Sequence, residues 1–177
     1  MQIGKWYVYR FDLSTIANWA RANTHVTPQV YFADQNNSYE HIARADADSL
    51  NSNFEILLSD NVSGNPGEGI MDTPQAVALD FLAGKIYFTD KGDDTIFRSE
   101  LDGTNLEVLI SSSALTGDPL DIKLDLVNRK MYFVDDDGSD GTIKRASMDS
   151  TSTPVKTDIE SSIETLETTG LTGQGDC

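Results

Sequence analysis

At 177 residues the chain has the length of one domain or of part of a larger one. It carries 13 lysines and arginines against 29 aspartates and glutamates, a formal net charge of −16 that repels phosphate backbones and anionic lipid and favours cations, basic partners or simple solubility. Hydrophobic residues at 38% supply a β-rich core; no apolar run approaches the roughly 18 residues of a membrane span, and the opening QIGKWYVYRFD is too polar for a secretory leader, so a secreted protein would have its leader outside this sequence.

From the N-terminus, KWYVYRFDL (5–13) alternates aromatic and polar side chains and reads as a strand. It is either the first strand of the first sheet unit, with VYRFD aligned on the later AVALD, or the third strand of an earlier unit, with Arg10 aligned on Arg98. In the first option 14–28 is an insertion in which Ser14 caps a short helix and Ile16 and Trp19 pack inward.

A repeat then takes over. Tyr31-Phe32-x-Asp34, Tyr87-Phe88-x-Asp90 and Tyr132-Phe133-x-Asp135 share one pattern, and PQAVALDFLAGKIYFTD (74–90) lies over PLDIKLDLVNRKMYFVD (119–135) at a constant offset of 45. A second block follows each triplet, Ile42-x-Arg44, Ile96-x-Arg98 and Ile143-x-Arg145, closed by Asp48, Asp102 and Asp149. The apolar strings EILL (55–58) and EVLI (107–110) follow in the first two copies. The second copy shows the element order: strands QAVALD (75–80), KIYFTD (85–90), TIFRSEL (95–101) and LEVLI (106–110), separated by the turn formers LAG, KGDD and DGTN.

Four antiparallel strands in about 45 residues is the size of one β-propeller blade. A β-sandwich is the competing architecture, but sandwiches do not repeat sequence blocks at fixed spacing. The chain therefore divides into an N-terminal strand and insertion (1–28), about three blades (29–158) and a Ser/Thr/Gly-rich tail expected to be mobile (159–177). SGNPGEGIMDT (63–73) reads as an exposed loop between the first two blades.

The sequence Pro74-x-x-Val77-x-x-Asp80, then Lys85-x-Tyr87-Phe88-x-Asp90, then Ile96-x-Arg98-x-x-x-Asp102-Gly103, resembles the YWTD repeat, also called the low-density lipoprotein receptor class B repeat. Phe32, Phe88 and Phe133 stand where that family usually has Trp, and its Thr is kept only as Thr89. The resemblance is strongest over 74–149 and extends to 29–60. It implies a six-bladed, all-β propeller in extracellular proteins, serving as a protein-binding and spacing module. Six blades need roughly 270 residues by repeat arithmetic. A three-bladed arc leaves two sheet faces to be covered by further blades of a longer chain, by other copies of this chain, or by neighbours along a fibre.

Within the repeat, Tyr and Phe are expected on opposite blade faces, packing toward different neighbours. Asp34, Asp90 and Asp135 are expected to accept backbone N–H groups in turns. Arg44, Arg98 and Arg145 share a register, as do the repeated Asp residues, and they are expected in inter-blade or turn ion pairs and not in a ligand site. Asp135-Asp136-Asp137-Gly138-Ser139-Asp140-Gly141 spaces carboxylates as a Ca²⁺ loop does, with Asp136, Asp137 and Asp140 as candidate ligands. The EF-hand's closing Glu is absent, and a solvated acidic turn is the competing reading.

Asn36 and Asn61 open N-x-Ser sequons in expected turns, as glycosylation in a secreted protein would require. No nucleophile elbow, H-E-x-x-H or P-loop is present. His25 and His41 are far apart, and His41 is expected to be structural. The lone Cys177 excludes an internal disulfide and a cysteine-cluster metal site; it is an unpaired end, an intermolecular bridge, or the first cysteine of a flanking module of the kind found beside such propellers. The leading expectation is a non-enzymatic extracellular adhesion, receptor or scaffold module, possible also as a fibre subunit, that binds protein partners. The alternative is a calcium-dependent propeller hydrolase of the lactonase or esterase type.

Overall fold

The computed structural model describes residues 29–36, 39–47, 54–60, 63–139 and 141–167. The expected strand at 5–13, the insertion at 14–28, Asn61, Asp140 and Cys177 lie outside the described residues.

Three antiparallel sheets follow one another along the chain. The first contains β1 (Gln29–Asn36), β2 (Tyr39–Asp46) and β3 (Phe54–Ser59), in that spatial order. The second contains β4 (Pro74–Asp80), β5 (Lys85–Asp90), β6 (Thr95–Glu100) and β7 (Glu107–Ile110), again in chain order. The third contains β8 (Asp118–Asp125), β9 (Lys130–Asp136), β10 (Gly141–Ser147) and β11 (Glu164–Glu167). Chain-order meanders of this size, stacked face against face, are propeller blades, and the molecule is a partial propeller of about three of them.

The third blade runs past the boundary placed at 158. A short helix α1 (Lys156–Ser161) and β11 occupy part of the stretch expected to be a mobile tail. Ile159 is fully buried between the second and third blades, and Glu160 accepts the Ser111 N–H at 2.8 Å and its hydroxyl at 2.6 Å. These anchors hold a Ser/Thr-rich segment whose composition alone gives no sign of order. The 63–73 loop is exposed over most of its length, yet Met71 reaches the core beside the first blade and Asn65 accepts the Ser59 N–H at 2.7 Å.

Strand alternation divides the second blade into two apolar faces. Val77, Leu79, Ile86, Phe88 and Phe97 pack with Tyr31, Ile42, Leu57 and Leu58 of the first blade. Ala76, Ala78, Tyr87, Ile96 and Leu109 pack with Ile122, Met131, Phe133 and Ala146 of the third. Tyr87 and Phe88, adjacent in sequence, are thus both fully buried and serve opposite neighbours. Where Gly103 of the second blade meets the first, a side chain is excluded. Gly103, at φ +83°, sits so near the Leu57 carbonyl that a Cβ would lie 2.5 Å from its oxygen.

Candidate interaction surfaces

The repeat residues assemble into one rung per blade. The pairing register sets Tyr31, Arg44 and Glu55 side by side across β1, β2 and β3, as it does Tyr87, Arg98 and Glu107 across β5, β6 and β7, and Tyr132, Arg145 and Glu164 across β9, β10 and β11. Each arginine holds the glutamate of its own rung, at 2.7, 2.6 and 2.7 Å respectively. The partner carboxylates are therefore the glutamates that open each last strand, not the repeated aspartates. The sequence signal was the Glu heading EILL and EVLI; the third copy, ETLE, was masked because α1 displaces it from the common spacing.

Two of these arginines also reach across to the next blade. Arg44 donates to the Leu101 carbonyl at 3.3 Å and Arg98 to the Met148 carbonyl at 2.9 Å, and the two acceptors hold equivalent places after the third strand of their blades. Arg98 also donates to the Tyr87 hydroxyl at 3.3 Å, with its guanidinium 5.7 Å from the ring centre. A second inter-blade tie joins Arg129 of the third blade to buried Asp80 of the second, while the same guanidinium pairs with Asp149 at 2.8 Å. The side-chain hydrogen bonds to Asp149 and Asp80 raise the Arg129 pKa.

The strand-end aspartates do more than close a hairpin. Asp90 accepts Gly92 and Asp93 N–H groups in its own turn, and also those of Asp72 and Thr73 at 3.0 and 2.8 Å, which pins the loop leading into β4. Asp135 repeats the second task with the Thr116 and Gly117 N–H groups, both at 2.9 Å, and pairs with Lys144. Asp34 lies in β1 opposite His41. His41 is buried, its ring stacked on Phe54 at 6.1 Å and edge-on to Phe32 at 6.3 Å.

The two ends of the blade stack differ in chemistry. At one end, the β5–β6 turn and the inter-blade loops gather Glu40, Asp60, Asp72, Asp93, Asp94 and Asp118. Partial burial, followed by repulsion from neighbouring carboxylates, raises the pKa of Glu40, Asp93 and Asp94. Lys91 pairs with Asp118 there at 2.8 Å. Asp136 and Asp137 belong to the same end: Asp136 accepts the Gly138 N–H at 2.9 Å, and Asp137 accepts the Ser139 N–H at 2.9 Å and its hydroxyl at 2.7 Å. These two candidate Ca²⁺ ligands are thus engaged as turn acceptors, while Asp140 lies outside the described residues. Among the described residues no three His, Cys, Asp or Glu side chains cluster as a metal site. The Asn36 sequon runs from the end of β1 into residues outside that set.

At the opposite end, the β4–β5 and β8–β9 turns hold Phe81-Leu82 and Leu126-Val127 out to solvent. Leu82 is 88% and Val127 90% exposed.

No family model matches the sequence. Among solved structures, the chain is similar to a chain from the crystal structure of a nidogen/laminin complex, at 24% identity and a TM-score of 0.60, over 81% of this chain and 45% of that one. It is also similar to a putative TolB from Agrobacterium tumefaciens, at 20% identity and a TM-score of 0.53, over 79% of this chain and 45% of that one. These likenesses show the fold, a β-propeller of which this chain forms about three blades. The chain spans less than half the length of either structure. No helix among the described residues is long and apolar enough to cross a membrane.

Proposed function

We propose that the chain is a non-enzymatic, extracellular protein-binding module of the YWTD-repeat type. The observation that carries this reading is the polarity of the blade stack: a carboxylate-rich end and, opposite it, an end tipped with exposed Leu82 and Val127. Crowded carboxylates that raise one another's pKa favour an approaching cationic protein segment, chiefly through its rate of association. The repeat's resemblance to extracellular propellers supports the location. The similarity to a chain from a nidogen/laminin complex supports a protein as the partner. The non-enzymatic reading draws support from the engagement of Asp90 and Asp135 with backbone N–H groups and of the rung arginines with glutamates.

The test is biolayer interferometry of the chain against a Lys/Arg-rich peptide and a net-neutral peptide of equal length. The basic peptide should bind with an affinity that falls as salt rises, and Asp93→Asn with Asp94→Asn and Asp118→Asn should slow association. Equal binding of both peptides, or no salt dependence, overturns the acidic end as the docking surface. Lactone hydrolysis that requires Ca²⁺ and is abolished by chelator would overturn the non-enzymatic reading.

A further inference from the structure

Three Asp-Gly bonds occur in the chain, at 102–103, 137–138 and 140–141. Such a bond is where a backbone can rearrange unaided, because a glycine without a Cβ lets its nitrogen approach the preceding side-chain carboxyl and close a five-membered imide. Asp140 lies outside the described residues. The other two bonds share their local chemistry. Asp102 Oδ1 accepts the Thr104 N–H at 3.0 Å and the Thr104 hydroxyl at 2.7 Å, and Asp137 Oδ1 accepts the Ser139 N–H at 2.9 Å and the Ser139 hydroxyl at 2.7 Å. In each case two donors draw electron density from the carboxyl carbon and are placed to stabilise the oxyanion that ring closure creates. Both glycines hold a positive φ, +83° at Gly103 and +85° at Gly138.

Their surroundings differ. Gly103 is buried, its N–H donates to the Glu100 carbonyl at 3.0 Å, and the Leu57 carbonyl oxygen of the first blade lies 2.5 Å from where a Cβ would be. Its nitrogen cannot swing toward the Asp102 carboxyl without breaking the Glu100 bond and driving the glycine against the first blade. Gly138 is exposed, and no atom stands within 4 Å of its Cβ position. Its N–H donates at 2.9 Å to Asp136 Oδ1, a side-chain oxygen that a rotation about χ1 moves aside.

We propose that Asp137-Gly138 is a site of spontaneous covalent modification, at which the folded chain converts aspartate to isoaspartate, while the blade contact at Gly103 protects Asp102-Gly103 from the same reaction. The Gly138 nitrogen bonds to the Asp137 Cγ; the carboxyl hydroxyl leaves with the proton of that nitrogen as water, and a cyclic imide remains. Water then adds to one of the two imide carbonyls. Addition at Cγ breaks the new C–N bond and restores aspartate. Addition at the Asp137 backbone carbonyl breaks the original peptide C–N bond, so the chain now runs through Cβ and Cγ and a free α-carboxylate is left. The β9–β10 turn thereby gains a backbone atom, and the carboxylate that held Ser139 becomes part of the chain. This inference rests on the turn itself and not on the proposed partner binding at the acidic end.

Timed incubation of the full chain at about pH 5, where part of the aspartate population is protonated and can lose water, tests it. Trypsin then releases 131–144 with Asp137 and 99–123 with Asp102, and mass spectrometry reads the imide as a loss of one water and locates isoaspartate by electron-transfer fragmentation. In the folded chain Asp137 should convert about tenfold or more faster than Asp102, the ratio that moderate backbone strain at Gly103 imposes on a rate. In concentrated urea the blade contact is gone, and the two sites should convert at comparable rates. Asp137→Glu requires a larger ring and should remove the product from 131–144. Equal rates in the folded chain, an equally large ratio in urea, or product in 131–144 that persists in Asp137→Glu and so arises at Asp140 would each overturn the proposal.

Discussion

The second and third blades place aspartate at the same strand end for the same task, yet hold its charge in opposite ways. Asp90 is surrounded by four backbone N–H groups and, among the described residues, pairs with no cation, and burial pushes its pKa up against those bonds. Asp135 is also buried, which works in the same direction, but Lys144 and Thr116 outweigh this and hold its pKa down. The difference starts one strand away. Opposite Phe88 the second blade has Phe97, stacked on it at 5.2 Å; opposite Phe133 the third has Lys144, whose buried ammonium requires the counter-charge that Asp135 provides. A repeat position thus fixes the geometry of its turn, while the neighbouring strand decides how the charge is stabilised.

Removing the carboxylate charge from each site should separate the two arrangements most strongly. Asp135→Asn leaves the Lys144 ammonium buried and unpaired, and loss of one partner of a buried pair costs about 3–5 kcal/mol. Asp90→Asn strands no cation and weakens only charge-assisted bonds, at about 1.5–3 kcal/mol. Urea unfolding of both variants checks the order, and equal losses would break the comparison. Adding Lys144→Met to Asp135→Asn should recover much of the loss, a coupling that a double-mutant cycle measures directly.

The same pair should show opposite pH dependence. Because the folded pKa of Asp135 lies below the ordinary 3.8, its contribution is complete above pH 3.8 and is lost as pH falls from there through the folded value. Asp90 has a folded pKa above 3.8, so its protonation favours the fold: that contribution is complete below pH 3.8 and is lost as pH rises through the folded value. Urea midpoints followed from neutral pH into acid should therefore fall less steeply for Asp135→Asn than for the unaltered chain, and more steeply for Asp90→Asn. Parallel curves for the two variants would contradict the assigned directions.

A smaller effect is expected at Gly103, which the first blade meets with its own backbone. Gly103→Ala places a methyl group against the Leu57 carbonyl at a positive φ, and should cost about 1–3 kcal/mol in urea unfolding. The third blade has Ser150 at the equivalent position, where its hydroxyl accepts the Ser152 N–H at 3.0 Å and donates to Asp158 at 3.2 Å, so Ser150→Ala should cost about 0.5–1.5 kcal/mol through those bonds and not through the backbone.

Much of this was legible in the sequence because it repeats. Strands β4 to β7 fall within a residue or two of the boundaries read from alternation and turn formers, and the opposed faces of Tyr87 and Phe88 follow from the two-residue period alone. The rung was half legible: the arginines stand in register in the sequence, but their glutamates lie on a strand whose spacing changes from copy to copy. Ile159 explains the rest of the shortfall. One buried side chain and the Glu160–Ser111 contact order a segment whose composition reads as disorder, and neither contact leaves a periodic trace. The contrast between Asp90 and Asp135 was hidden for a related reason, since aligned repeats draw attention to Asp135 and away from Lys144, where the copies differ.

The smallest stability effect should come at the apolar-tipped end, and its smallness is informative. Leu82 and Val127 occupy equivalent turn positions in adjacent blades and are almost fully exposed, so little buried apolar area is lost when they are shortened. Leu82→Ser with Val127→Ser should leave the urea midpoint within about 0.5 kcal/mol of the original. It should also leave basic-peptide binding unchanged, because the mutually repelling carboxylates Glu40, Asp93 and Asp94 lie at the opposite end of the strands, whereas Asp80 and Asp149 beside the tips are held by Arg129. A loss of stability well beyond that limit would mean that these tips are packed in the folded chain in solution. A loss of peptide binding would mean that the two ends do not act separately, removing the basis for assigning the cationic partner to the acidic end alone.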